Sequence, residues 1–267
     1  MNKCKEYKAL AREKLQTNRK ALIGAFLLMV LIVLAFVIAG SILLYANMEK
    51  AGALKSEQEM IKYFNQVFFN DDSIESIILS YAGSVFIGAL MQTLAVGFIN
   101  VCYKVANGEA VKATDIFEVY KQNPDKIILI YLVSSLVQFI IALPSNALTI
   151  YIDYANVNDI ELIAINSIVS IVTFLIQLIV KLLMALSFYA YIDDKETSVF
   201  GAVIKSITLM KRYAFVYLYI ILSFLGWFLL AGFTYGIALI YVYPYFYITL
   251  CLFYINIKEN TEKELTM

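Results

Sequence analysis

ALIGAFLLMVLIVLAFVIAGSILLY occupies residues 21–45 and contains no charged side chain. A helix of about 20 apolar residues covers the ~30 Å hydrocarbon core of a lipid bilayer. A core helix of a water-soluble protein would show a polar face at helical spacing, and this stretch shows none. Residues 21–45 are therefore predicted to form a membrane-spanning helix.

Five more apolar stretches follow along the chain. Its 267 residues are 61% hydrophobic and 16% charged, whereas soluble domains are about 45–50% apolar and about 25% charged. We predict an all-α, polytopic integral membrane protein with six transmembrane helices and short amphipathic helices at the interface. The predicted spans are residues 21–45, 77–103, 127–144, 162–191, 214–233 and 235–257, with a cytoplasmic tail at residues 258–267.

Lysine and arginine are distributed unevenly among the segments between these spans. Of the 21 cations, 17 fall in residues 1–20, 104–126, 192–213 and 258–267, and three fall in residues 46–76. Segments rich in Lys and Arg stay on the cytoplasmic side of a membrane. The pattern predicts a multi-pass protein of the cytoplasmic membrane with both termini in the cytoplasm. The remaining cation, Lys181, lies inside a predicted span.

Amphipathic segments flank several spans. In residues 1–20, apolar side chains recur at helical spacing among cations, which favours a cytoplasmic helix lying on an anionic membrane surface; a solvated helix is the alternative. Two later cytoplasmic segments also predict short helices, capped by Thr114 in one and by Thr197 or Ser198 in the other. Residues 46–76 form the largest external segment and predict a short helix against the outer leaflet.

Motifs that carry chemistry are missing from the sequence. The chain has no histidine, no Asp or Glu lies within the predicted spans, and no nucleotide-binding loop or nucleophile–base set occurs. The three cysteines have no metal-ligand spacing. We therefore expect no catalytic, cofactor or metal site and no nucleic-acid partner.

One polar pattern stands out in the fourth span. The pattern consists of Asn166, Ser170, Thr173, Gln177 and Lys181. At helical spacing these residues stay within about 80° of one another, so they form a single polar stripe. A Lys at the centre of a bilayer costs about 2.5–3.5 kcal/mol on insertion scales. The stripe is therefore predicted to face the interior of the bundle, near Ser84, Gln92 or Gln138.

Two interpretations of the stripe remain open. In the first, it lines a polar cavity or pathway with an anion site at Lys181. In the second, its residues hydrogen-bond between helices while the Lys181 ammonium reaches the cytoplasmic surface.

The last two spans are predicted to pack closely as antiparallel neighbours. Ser223–Trp227 and Gly236 supply small residues at their contact, and a turn of about two residues joins them. Pro244 removes one hydrogen bond from the last span, so a kink is expected near residues 236–240.

The stretch LSFLGWFLLAGFTYGIALIYVYPYFYITLCLFY, residues 222–254, resembles a bacterial membrane family known as domain of unknown function 975. Family positions are filled by Ser223, Gly226, Trp227, Gly236, Pro244 and Tyr245, and Asp193 and residues 202–210 match upstream. The family usually has Pro-Gly shortly before the position of Lys181, and this chain does not. The resemblance implies a six-helix integral membrane protein without an assigned function.

Three function classes compete. The first is a non-enzymatic envelope protein: a scaffold, a partner of a transport complex or a peptide-toxin immunity factor. The second is a transporter of a small solute or lipid that uses a polar cavity near Lys181. The third, a membrane enzyme acting on lipid, is disfavoured because acid–base groups are absent. Expected partners are membrane lipid and either another membrane protein or a second copy of the chain.

Overall fold

The structure is a computed structural model that describes residues 2–68, 74–154 and 159–265. Helices and turns make up these residues, and no strand occurs among them. Six helical segments are long and apolar enough to cross a membrane. The predicted all-α, multi-pass membrane architecture is therefore confirmed.

Nine α-helices follow one another in the described residues. They are α1 (Asn2–Thr17), α2 (Arg19–Lys50), α3 (Glu57–Phe68), α4 (Ile74–Ala106), α5 (Pro124–Tyr154), α6 (Ile160–Met184), α7 (Ser187–Asp193), α8 (Val199–Phe233) and α9 (Leu239–Leu265). Two 3₁₀ segments, Ala53–Lys55 and Ala113–Lys121, lie between them. The external helix expected within residues 46–76 is α3.

The third span extends beyond its predicted end at Pro144, because this proline lies inside α5. The Ser145 hydroxyl is 2.8 Å from the Ser170 hydroxyl of α6, and the Thr149 hydroxyl donates to the Ser145 carbonyl. The first bond holds the helix on α6 past the proline, and the second lies within α5; helices in a bilayer tolerate proline more readily than helices in water. The predicted end of this span was wrong, and α5 continues to Tyr154.

The fourth span, predicted as continuous from residue 162 to residue 191, is interrupted. Helix α6 ends at Met184 and α7 begins at Ser187. At the break, the buried Ser206 hydroxyl of α8 accepts from the Leu186 amide at 3.0 Å and donates to the Leu183 carbonyl at 2.8 Å. A side chain from another helix thus replaces backbone hydrogen bonds that the interruption removes.

The two predicted helix caps have different outcomes. Ser198 caps α8, since its hydroxyl accepts from the Gly201 amide at 3.0 Å. Thr114 caps nothing: the 3₁₀ segment begins after Lys112, whose amide donates to the Asp115 carboxylate at 2.9 Å. The Asp115 carboxylate thus bonds back to the residue before the segment, whereas a cap at Thr114 would have accepted from an amide after it.

The connection between α8 and α9 is longer than predicted. Phe233 ends α8 and Leu239 begins α9, so the turn has five residues rather than two. Gly236 lies in this turn with a φ of 86°, which an L side chain rarely adopts. The predicted kink at residues 236–240 is wrong for the same reason, because residues 236–238 precede the helix. The predicted tail is helical to Leu265.

Helix α1 packs on protein. Tyr7, Ala11 and Leu15 form its buried face, and the Tyr7 ring meets the Phe253 ring of α9 edge-on at 6.2 Å. The predicted placement of this apolar face on lipid was therefore wrong. Apolar periodicity shows which face of a helix is buried, but lipid and a protein groove satisfy that face equally well.

Burial is concentrated in one part of the molecule. The largest fully buried side chains include Tyr245, Tyr254, Phe98, Phe224 and Phe253, and they come from α4, α8 and α9. We call this region the packed lobe. It consists of α1, α7, α9, the Ala113–Lys121 segment and the adjoining ends of α2, α4 and α8. Beyond it, α2, α5 and α6 extend with most of their apolar side chains exposed or only partly buried.

Candidate functional site

The polar stripe of α6 faces α5. The Asn166 amide donates to the Thr149 hydroxyl at 3.2 Å, and the hydroxyls of Ser170 and Ser145 are 2.8 Å apart. Thr173 is buried on the same side of the helix. The first part of the stripe therefore joins α5 to α6 by hydrogen bonds.

Gln177 continues this pairing in a reciprocal arrangement. Its side-chain amide donates to the backbone carbonyl of Gln138 at 3.1 Å. The side-chain amide of Gln138 donates to the backbone carbonyl of Gln177 at 3.4 Å. Each backbone carbonyl gains a hydrogen bond from the side-chain NH2 group of the opposite glutamine. Interhelical bonds of this kind in bilayers contribute about 0.6 kcal/mol on average, so their main effect is to fix the register of the two helices.

Lys181 stands at the end of the stripe, on the wall of a cavity of about 550 Å³. The cavity lies between α4, α5 and the junction of α6 with α7. Its polar lining consists of Ser84, Gln92, Ser134, Ser135, Gln138 and Lys181. Three of these residues, Ser84, Gln92 and Gln138, were expected from the sequence to lie near the stripe.

The lining combines one cation with neutral polar groups and an apolar surface. Among the described residues that line the cavity, Lys181 alone is charged, and its ammonium makes no hydrogen bond or ion pair with the described part of the chain. Val85, Tyr131, Met184 and Phe188 complete the wall. Such a surface suits a molecule that is anionic at one end and apolar elsewhere, because an ammonium is a compact donor for phosphate or carboxylate.

The closest helix contact at this cavity involves a glycine of α4. A Cβ atom at Gly88 would lie 2.0 Å from the Tyr131 hydroxyl of α5. Any side chain at residue 88 would therefore displace Tyr131, which lines the cavity. Gly88 thus leaves room for the Tyr131 ring against α4.

The residues of the family pattern occupy different environments. Tyr245 is fully buried and accepts from the Arg12 guanidinium at 3.1 Å, and the Ser223 carbonyl accepts from Lys8 at 2.8 Å. The Trp227 ring lies 6.2 Å from that of Tyr241, and Pro244 lies near the start of α9. These residues hold α1, α8 and α9 together.

Gly226 does not form the close helix contact predicted for it. A Cβ atom at this position would meet no atom within 4 Å. Gly226 is exposed on the outer side of α8, so the prediction was wrong. Gly97 of α4 is the closely packed glycine of the packed lobe, since its Cβ would lie 2.2 Å from the Ile116 carbonyl oxygen.

Asp193, whose side chain makes more hydrogen bonds than any other in the described part of the chain, was not singled out as a site from the sequence. Its carboxylate accepts from Tyr103 and Lys258 at 2.7 Å each, from Lys205 at 3.0 Å and from Tyr254 at 3.1 Å. The side chain is only 5% exposed. Two cations and two hydroxyls thus compensate one buried charge, as burial of a carboxylate requires.

The Asp193 cluster joins four helices at one end of the molecule. Tyr103 comes from α4, Asp193 ends α7, Lys205 belongs to α8, and Tyr254 and Lys258 belong to α9. A second cavity of about 470 Å³ lies beside it, lined in part by Asn100, Tyr103 and Asp193. The sequence signal for this cluster was an Asp at the end of an apolar run, but its partners are 12 to 90 residues away.

Helix α7 connects the two sites. Phe188 and the preceding break line the Lys181 cavity, while Asp193 at the other end of α7 is held by the four-helix cluster. The seven-residue helix is therefore fixed at both ends, by the Ser206 hydroxyl and by the Asp193 carboxylate.

Comparison with known proteins identifies a family and no function. No curated protein and no solved structure matches the chain. A family model described as protein of unknown function (DUF975) matches residues 1–261, nearly the whole length. The family carries no assigned activity from which a role for the Lys181 cavity could be read. The chain thus belongs to the DUF975 family of proteins of unknown function.

Proposed function

We propose that this chain is a non-enzymatic protein of the bacterial cytoplasmic membrane that binds an anionic lipid in the cavity at Lys181. The observation that carries this proposal is the Lys181 ammonium, which has no partner among the described residues and stands in a wall of hydroxyls, amides and apolar side chains. An ammonium that binds no protein carboxylate is available to a phosphate headgroup. Val85, Met184 and Phe188 offer the apolar surface that acyl chains require.

Placement of both termini in the cytoplasm is part of this proposal. The four segments that hold 17 of the 21 cations contact one another: Lys126 donates to the Lys195 carbonyl at 2.7 Å, and Asp193 pairs with Lys258. In α1, Tyr7 donates to Asn256 at 2.8 Å. Segments that meet in this way lie on one side of the membrane, and the positive-inside rule favours the cytoplasmic side.

Lipid-dependent thermal stability tests the lipid site. The single tryptophan, Trp227, reports unfolding of the purified protein by its fluorescence. We expect phosphatidylglycerol to raise the midpoint of thermal unfolding, Tm, more than phosphatidylcholine does. Lys181→Met should remove this difference, because the substitution keeps the length of the side chain and deletes its charge. The control is Lys211→Met, which removes an exposed lysine of α8 away from the cavity.

Two outcomes contradict the lipid site. If Lys181→Met keeps the full response to phosphatidylglycerol, the cavity does not hold the headgroup. If glycerol 3-phosphate alone raises Tm as much as the lipid does, the ligand is a soluble anion.

Transport is the second candidate function, and the interrupted helix at the cavity favours it. Broken helices line the substrate sites of many transporters, where an irregular backbone is tolerated beside a cavity. In this protein the break between Met184 and Ser187 borders the cavity. Movement of labelled phosphatidylglycerol between the leaflets of proteoliposomes, lost in Lys181→Met, would support transport; binding without such movement supports the non-transporting role.

A further inference from the structure

The position of α9 along α2 and α4 is marked by three aromatic rings. The Tyr243 ring lies 5.0 Å from that of Phe26 in α2 and 5.2 Å from that of Phe98 in α4. Phe26 is close to the cationic start of α2, where Arg19 and Lys20 lie. The first turns of α9 are therefore level with the basic end of α2.

Helices α9 and α4 run in the same direction. Phe98 packs on Tyr247, and further along both helices Tyr103 packs on Tyr254. The start of α9 therefore points toward the same side of the membrane as the start of α4. That side is opposite to the one that holds the Asp193 cluster.

The reach of these helices beyond the three rings differs greatly. From Phe26, α2 continues to Lys50, a length of about 36 Å at 1.5 Å per residue, and α4 extends equally far from Phe98 back to Ile74. Helix α9 extends only from Tyr243 back to Leu239, about 6 Å. The hydrocarbon core is about 30 Å thick. Helix α9 therefore ends well short of the membrane face that α2 and α4 reach.

Helix α1 gives independent support, because it places cations against the middle of the fifth and sixth predicted spans. The Lys8 ammonium lies 4.3 Å from the centre of the Phe224 ring and donates to the Ser223 carbonyl. Arg12 donates to Tyr245. Burial lowers the pKa of Lys8, which belongs to α1. A cation at the bilayer centre is costly, so these positions of α8 and α9 do not lie at the centre of a membrane.

The opposite side of α8 is strongly apolar. Phe215 is 87% exposed and Phe233 is 83% exposed, and Tyr235 in the following turn is 99% exposed. Leu222 and Leu229 lie between them on the same surface. Helix α8 therefore has one side that requires lipid and another that packs on α6, α7 and α9 and meets Lys8 of α1 at Ser223 and Phe224.

We infer that α8, its turn and the start of α9 form a re-entrant hairpin that lies in one leaflet and does not cross the membrane. The hairpin enters from the side that holds both chain termini, and its exposed apolar side contacts the acyl chains of that leaflet. Helices α2, α4, α5 and α6 make the four crossings. An even number of crossings leaves both termini on one side, as six would.

Labelling at the hairpin turn tests this inference. Ile237 is 70% exposed in the turn, so Ile237→Cys should fold normally, and the three native cysteines are buried. In intact cells, a charged, membrane-impermeant maleimide should label Ile237→Cys at less than about a tenth of the rate at Ser56→Cys, because hydrocarbon excludes the reagent. After solubilisation in detergent, both variants should react. Equal labelling in intact cells would overturn the hairpin and restore six crossings.

Cross-linking in native membranes provides a second measurement. A short bifunctional thiol reagent should join Phe26→Cys to Tyr243→Cys and should fail to join Leu44→Cys to Tyr243→Cys. A six-crossing arrangement requires the start of α9 to lie beside the far end of α2. Cross-linking of the Leu44 pair in place of the Phe26 pair would therefore contradict the inference.

Discussion

Helices α6 and α9 are both long and apolar, yet they use their side chains in opposite ways. Only 11% of the most apolar stretch of residues 160–193 is buried inside the protein, compared with 61% for residues 239–264. The mean hydropathy of the two stretches is 2.4 and 1.4. Helix α6 contacts α5 along one narrow polar stripe, whereas α9 is surrounded by α1, α4 and α8.

The comparison shows that the more hydrophobic helix is the less buried one. In water the reverse holds, because burial there follows hydrophobicity. In a bilayer, lipid already satisfies Leu and Ile, so helix contacts are selected by hydrogen bonds and by fit. The tyrosines of α9 serve both purposes: Tyr245 and Tyr254 are fully buried, and each makes a hydrogen bond through its hydroxyl.

The largest effect should come from removing the charge at the centre of the packed lobe. Asp193→Asn leaves Lys205 and Lys258 without their buried carboxylate, and loss of one partner of a buried pair costs about 3 kcal/mol. We expect a large fall in the Tm of the purified protein, followed by Trp227 fluorescence. Asp194→Asn is the matched control, since Asp194 is exposed and bonds only within its own loop. An equal fall in both variants would show that the Asp193 cluster does not hold the lobe together.

Glycine substitutions should separate a packed backbone contact from an open one. Gly97→Ala drives a Cβ into the Ile116 carbonyl of the 3₁₀ segment, and overpacking of this kind costs about 2 kcal/mol. Gly226→Ala meets no neighbour and should be neutral or slightly stabilising, because alanine favours helix. Chemical denaturation of the two variants measures the difference. A destabilised Gly226→Ala with an unchanged Gly97→Ala would contradict the assigned contacts.

The polar stripe of α6 should contribute less than the packed lobe. Gln177→Leu removes its bond to the Gln138 carbonyl, for which a loss of about 0.6 kcal/mol is expected in a bilayer. Ser167→Ala is the control, because the Ser167 hydroxyl bonds only to the Ile163 carbonyl within α6. Both variants can be compared by denaturation in the same detergent. No loss in Gln177→Leu would mean that apolar packing alone holds α5 on α6.

The smallest expected effect concerns the attachment of α1. Tyr7→Phe removes the bond to Asn256, a loss of about 0.5 kcal/mol at neutral pH. Burial raises the pKa of Tyr7 from 10.0 to about 12. The contribution of Tyr7 is therefore complete below pH 10 and is lost as pH rises toward 12, because the unfolded chain ionises first.

The pH dependence of the native protein and of Tyr7→Phe can be compared directly. Between pH 10 and pH 12, Tm of the native protein should fall to that of Tyr7→Phe and then below it, because an ionised Tyr7 is disfavoured in its buried position. Parallel curves over this range would show that the Tyr7 hydroxyl does not titrate in the way its burial requires.

Much of the architecture follows from patterns in the sequence. Uninterrupted apolar stretches predict the long helices because each helix satisfies its own backbone in lipid. The stripe from Asn166 to Lys181 was predictable because polar groups on one side of a span must meet other polar groups. Ser198 was recognisable as a cap because the oxygen that accepts is adjacent in sequence to the amides that donate.

The features that were missed depend on residues far apart in the chain. The Asp193 cluster brings together α4, α7, α8 and α9, and nothing near Asp193 in the sequence indicates its partners. The break after Met184 depends on Ser206 in the next long helix. Pro144 was taken as a helix end because proline usually ends helices in water, whereas α5 continues through it in this protein.

The hydroxyl of Ser206 has a consequence for how the chain is made. Residues are added in order from the N-terminus, so the Leu186 amide and the Leu183 carbonyl reach the membrane before Ser206 has been synthesised. Until then these two groups lack the partner that the folded protein gives them, and unsatisfied backbone groups are costly in lipid. The junction of α6 and α7 is thus completed late, and the Lys181 cavity beside it acquires its final shape only when α8 arrives.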